Sequence, residues 1–153
     1  MSLRLIGAPD TAPAGLMLID TSAYAQIKHH PQAAERFTGL AARGLLATCN
    51  VVSAEVLYSM AGITSIRAMR ATLDGLWYLP LTEWSEMRAL ETLVKLAERG
   101  KHRAAKVGDL QIAAVAEQYR ATLLHYDHDF EDIAEVTGQP VEWIVPRGAG
   151  HGG

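Results

Sequence analysis

Leu16-Met17-Leu18-Ile19-Asp20-Thr21-Ser22 is an apolar run that ends on an acid and passes at once into a helical pattern. Leu123-Leu124-His125-Tyr126-Asp127 has the same arrangement near the other end of the chain. A run this continuously apolar reads as a strand covered on both faces, as parallel-sheet strands usually are. In open α/β sheets the ligand crevice lies outside the carboxyl ends of such strands. Asp20 and Asp127 stand there, and carboxylates gathered at one rim need a compensating charge.

Strand and helix signals alternate along the rest of the chain, which argues for βα units around a mainly parallel sheet. The strand Leu16 to Ile19 leads to a short helix near Ala23 to Lys28 and a second near Gln32 to Arg43, stopped by Gly44. A strand from Leu46 to Val52 leads to Ser53, a good N-cap for a helix beginning Ala54-Glu55. The middle is helical, broken at Gly62, and a strand over Trp77 to Leu81 follows. The helix from Glu83 to Arg99 is expected to bury Met87, Leu90, Leu93, Val94 and Ala97 and to end at Gly100. After a basic loop, Asp109 opens a helix of small apolar residues. The strands Thr122 to Tyr126 and Val141 to Val145, the latter at an edge, close the pattern.

At 153 residues the chain reads as one domain, with 49% hydrophobic and 20% charged residues. Residues 1–15 read as an N-terminal extension without a signal-peptide core, with Met17 a natural start, 16–146 as the domain and 147–153 as a disordered tail. The formal charge of −3 announces no general basic surface. Cys49 is the single cysteine, which excludes a disulfide framework and a cysteine-rich zinc site and fits the cytoplasm. No apolar stretch approaches a membrane span.

Taken singly, Asp20, Glu55, Asp109 and Asp127 each have an ordinary explanation as a cap, first-turn acid or turn residue. As a set they project toward one rim of the sheet. At 4 Å each like-charged pair costs about 4 kcal/mol at an effective dielectric near 20. Oxygen ligands in that number suit Mg²⁺, with Mn²⁺ the alternative. His125 and His128 lack the usual zinc spacing. Trp77, Trp84 and Trp143 are expected in the core rather than as base-stacking platforms, and Met60 and Met69 either in the core or in an apolar groove for a partner helix.

Leu18-Ile19-Asp20-Thr21-Ser22, Ser53-Ala54-Glu55, Gly108-Asp109-Leu110-Gln111-Ile112-Ala113-Ala114 and His125-Tyr126-Asp127-His128-Asp129-Phe130 resemble the PIN-domain family. More narrowly they resemble its VapC-type toxin ribonucleases. The likeness runs from Leu16 to Pro146 with all four acids in order. It implies a central parallel sheet with helices on both sides, Mg²⁺-dependent cleavage of RNA, a VapB-type antitoxin partner and a homodimer. By the same resemblance Asp20 and Asp109 hold the metal, while Glu55 and Asp127 complete the acidic pocket. Ser22 orients Asp20, and Asp129 is the second acid of the last motif. Tyr126 departs from the smaller or polar residue usual before that last acid.

Lys101, Arg103 and Lys106, just before Asp109, are expected to meet RNA phosphates. An aspartyl phosphatase would want an acid two residues after Asp20, where Ser22 stands. A response-regulator receiver would need paired early acids and a late lysine after a strand. The alternative outside catalysis is an inactive PIN-like binding module that pairs with a partner.

Overall fold

Leu18, Ile19, Leu123 and Leu124 have no exposed surface, so both apolar runs are the covered strands that their composition predicts. The computed structural model describes residues 4–148. In chain order the elements are β1 Arg4–Leu5, a 3₁₀ turn Pro9–Thr11, β2 Met17–Ile19, α1 Thr21–Gln26 and α2 Pro31–Ala42. Then come β3 Leu46–Cys49, α3 Asn50–Tyr58, α4 Ile63–Asp74, β4 Trp77–Leu79 and α5 Glu83–Glu98. α6 Val107–Gln118, β5 Thr122–His125, α7 Asp129–Thr137 and β6 Val141–Trp143 complete the fold.

The strands form one sheet in the order β1-β4-β3-β2-β5-β6, and every pairing is parallel. From β2 the chain steps to β3 and β4 on one side. It then crosses back to β5 and β6 on the other. Right-handed crossovers place α1 to α4 on one face and α5 to α7 on the opposite face. The packing agrees, since α5, α6 and α7 touch one another while α3 touches α1 and α4. The direction of winding reverses between β2 and β5, and Asp20 and Asp127 follow those two strands. That is the topological switch point at which such sheets bind ligands.

Residues Arg4 and Leu5, within the expected extension, pair with Trp77 and Tyr78 at the far edge of the sheet. The expected disordered tail lies outside the described residues from Ala149 onward.

Two local readings differ from the sequence pattern. α3 begins at Asn50, so Glu55 stands in the second helical turn rather than the first. The β-branched pair Val51-Val52 is helical, with Val52 fully buried, because packing outweighs strand propensity there. Ser53 does not cap the helix; its Oγ lies 2.8 Å from Thr48 Oγ1.

The second difference is the face that α5 buries. Ser85, Ala89, Thr92 and Leu96 turn inward. Met87, Leu90 and Val94 are 59%, 58% and 57% exposed. Trp84, expected in the core, is 47% exposed on the same helix. α6 explains the rotation. Its residues Ile112 to Ala116 are all buried, so small side chains on α5 allow the two helices to approach closely. The rotation is then pinned by Arg88, whose Nε and Nη2 donate to Glu117 Oε1 and Oε2 at 2.7 and 3.0 Å. Such a fork on a carboxylate adds geometric specificity as well as energy. Thr82 and Ser85 form a reciprocal capping box at the start of α5.

This orientation makes a direct prediction. Leu96→Ala should lose about 2–5 kcal/mol of unfolding free energy. Ala97→Gln, at a position the apolar pattern assigns to the interior, should change it by less than about 0.5 kcal/mol. Urea unfolding at low protein concentration measures both.

Candidate active site

Asp20 is the residue after β2, and its backbone N–H still donates to Leu124 O of β5 at 2.8 Å. Its side chain caps α1, with Oδ2 accepting from the Ser22 N–H at 2.8 Å and the Ser22 hydroxyl at 2.6 Å. Ser22 Oγ in turn accepts the Tyr126 N–H at 2.8 Å. One serine therefore ties the end of β2 to the end of β5. Asp20 is only 3% exposed.

Burial raises the Asp20 pKa, and repulsion from Glu55 adds to the rise against the two Ser22 hydrogen bonds. Glu55 reaches the rim from α3, where its Oε1 accepts from the Thr21 hydroxyl at 2.7 Å. Its other oxygen lies against the first turn of α6. A Cβ on Gly108 would sit 3.4 Å from Glu55 Oε2 and 3.5 Å from Val51 Cγ1, ordinary contact distances that show how α3 and α6 meet there.

Asp109 is at the third position of α6, where its Oδ2 accepts from the Lys106 N–H at 3.2 Å. Burial, followed by repulsion from Asp20, Asp127 and Asp129, pushes its carboxyl up to about 6. Asp127 Oδ1 accepts from the Asp129 N–H at 3.0 Å. Burial and the Asp127 charge raise Asp129, while His128 and Lys106 counter the rise. Ligand atoms of Asp127, His128 and Asp129 all lie within 4.8 Å of one another. The five predicted acids thus form one electrostatic cluster, with Ser22 beneath Asp20.

His125 has a different role from the acids. It is fully buried, and burial pushes its imidazole down to about 4. Its Nδ1 accepts the Asp127 N–H at 3.1 Å, which aims the acidic turn. Thr21 joins the site through Glu55, and a hydroxyl directly after Asp20 is its signal in the sequence. Tyr126 contributes through its backbone N–H to Ser22.

The basic loop divides. Lys101 Nζ is 3.2 Å from Asp132 Oδ1 and 3.6 Å from Glu135 Oε2, so α7 holds its charge. Arg103 is exposed on the loop, and Lys106 stands close enough to Asp129 to counter its rise in pKa.

A model of the PIN domain family matches residues 17–136. This chain belongs to the PIN-domain family. Among curated proteins it is similar to Ribonuclease VapC21 of Mycobacterium tuberculosis, 42% identical over 134 residues that cover 86% of this chain and 95% of that protein. It is also similar to Ribonuclease VapC18 of the same species, 38% identical over 85% of this chain and 96% of that protein. Among solved structures, the DNA-bound VapBC of Salmonella typhimurium has a TM-score of 0.70 at 18% identity, covering 85% of this chain and 98% of that one. VapBC-5 of M. tuberculosis has a TM-score of 0.55 at 26% identity, covering 84% and 97%. The predicted PIN fold is therefore the one observed.

The oxygens of the cluster, from Asp20, Asp109, Asp127, Asp129 and Ser22, are of the kind that suits a hard divalent cation, and among the described residues the ligand atoms that gather within 4.8 Å of one another are those of Asp127, His128 and Asp129. Without a cation the cluster opposes folding. A carboxyl raised in the folded state contributes stability that is full below its unfolded pKa and lost as pH rises through its folded pKa. For Asp109 that window runs from 3.8 to about 6. In chelator, Asp109→Asn should raise the melting temperature at pH 7 and flatten the fall in stability across that window. Thermal unfolding scans at several pH values measure both effects.

Proposed function

We propose that this chain is a metal-dependent endoribonuclease, the VapC-type toxin of a toxin–antitoxin pair, that hydrolyses RNA phosphodiester bonds. The observation that carries the reading is Asp109. Its carboxyl is held at about 6 by burial and by three other acids, an arrangement suited to receive a cation. Relatives named Ribonuclease VapC, 38% and 42% identical over nearly their whole length, support the reaction class.

Asp20 and Asp109 would hold the metal, Mg²⁺ or Mn²⁺. When bound, such an ion polarises a phosphoryl oxygen and lowers the pKa of a coordinated water. The protein's own groups do the rest. Ser22 fixes Asp20 through two hydrogen bonds, so the carboxylate does not reorganise as the substrate arrives. Glu55, steadied by Thr21, and Asp127, steadied by His125 and Asp129, flank that pair and position or deprotonate the attacking water. Arg103 and Lys106 meet RNA phosphates at the mouth of the site.

The partner is a VapB-type antitoxin, a reading supported by the VapBC-5 toxin–antitoxin structure at 26% identity. An apolar groove of about 240 Å³, lined by Tyr24, Lys28, Val56, Met60 and Met69, suits one of its helices. A homodimer is part of the same proposal, and the outward stripe of α5 offers it apolar surface. Among the described residues no helix is long and apolar enough to cross a membrane.

Cleavage of a labelled RNA with Mg²⁺, against an EDTA control, tests the reading. Asp20→Asn and Asp109→Asn should each abolish turnover with the circular dichroism spectrum unchanged. Ser22→Ala should lose roughly 10–100-fold, the usual cost of an outer partner of a ligand. Full activity in Asp109→Asn would exclude the assignment.

A further inference from the structure

A second recess opens beside the acids, at the carboxyl ends of β5 and β6. It measures about 440 Å³ and is lined by Gln26, Tyr126, Asp127, His128, Trp143 and Arg147. That volume falls within the roughly 300–1,000 Å³ that small organic ligands occupy. Asp127 and His128 belong both to this hollow and to the acidic cluster, so the hollow borders the acids.

The walls are aromatic and fixed. Trp143 is half-buried, its indole Nε1 donates to Glu131 Oε1 at 2.8 Å, and His125 packs on it with ring centres 4.8 Å apart. Tyr126 meets Trp143 edge-on at 5.4 Å. The Tyr126 hydroxyl accepts the Gly148 N–H at 3.1 Å, which tethers the segment carrying Arg147. The Arg147 guanidinium carbon is 5.9 Å from the Trp143 ring centre. Gln26 Oε1 is out of reach of solvent and has no hydrogen-bond partner among the described residues.

We propose that this hollow seats one nucleotide of single-stranded RNA beside the scissile bond, its base against Tyr126 and Trp143 and its phosphate on Arg147. Rigid aromatic rings accept the face of any base, and a neighbouring cation follows the backbone. Arginine suits phosphate through its planar fork of donors. Next to an acidic rim that repels phosphate, Arg147 is the residue of this hollow that attracts it. The inference rests on the ribonuclease reading and adds to it a site for the substrate that the basic loop does not provide.

The test uses an RNA pentanucleotide in EDTA, where it binds without being cut, and the intact protein carrying Trp77→Phe and Trp84→Phe, so that Trp143 alone reports. Saturable quenching of Trp143 fluorescence is expected. Arg147→Ala should weaken binding at least five-fold and reduce the slope of log affinity against log salt by about 0.7. In cleavage assays on the otherwise unmodified chain, Arg147→Ala should raise KM and leave kcat unchanged. Absence of quenching, or an Arg147→Ala variant with unaltered affinity, salt slope and KM, overturns the proposal. Absence of metal-dependent cleavage by the unmodified protein would instead count against the ribonuclease reading, and the fluorescence experiment would still decide the hollow.

Discussion

Burial of carboxylates, compounded by their mutual repulsion, is the constraint on which the rest of this structure depends. Asp20 is almost fully buried, and Asp109 carries a carboxyl pushed up to about 6 by burial and its acidic neighbours. A protein selected for stability alone has no reason to gather these groups. Each would be more stable in water or beside a cation. The surrounding framework overcomes that opposition with hydrogen bonds that lock the acids in place. Ser22 bridges the ends of β2 and β5, Thr21 holds Glu55, and His125 holds the Asp127 turn. Strain of this kind, concentrated at the switch point of the sheet, is the usual mark of a site built to receive charge.

The fold brings this about through the order of its strands. Because β2 and β5 are neighbours, acids 107 positions apart in the sequence follow adjacent strands. α3 and α6 add Glu55 and Asp109 from opposite faces of the sheet, meeting over Gly108. The same β5–β6 pairing that completes the sheet places Trp143 beside His125 and thereby makes the aromatic hollow.

Much of the site could be read from the residues, for a physical reason. Strands covered on both faces are apolar throughout, so the acid that ends each one is conspicuous, and Asp20 and Asp127 stand out. Asp109 is marked by the Gly108-Asp109 pair before a run of small apolar residues. Glu55 stands one turn further into its helix than the pattern suggests, because Val51 and Val52 look like strand and are helix. The buried face of α5 departs from the apolar pattern for a related reason. A helix packed closely on another buries small and polar side chains such as Ser85, Ala89 and Thr92, while Met87, Leu90 and Val94 remain outside. The ion pair that holds Lys101 on α7 and the hollow formed by Gln26, Tyr126 and Arg147 are contacts between distant segments, on which local pattern carries no information.

The central claim is that the repelling acids form a cation site. Titration of the metal-free protein with Mn²⁺, followed by the loss of the free-ion electron paramagnetic resonance signal, tests it most directly. The account predicts saturable binding that Asp20→Asn greatly weakens and that excess Mg²⁺ displaces. Mn²⁺ uptake that is absent, or equal in the protein and in Asp20→Asn, would contradict it.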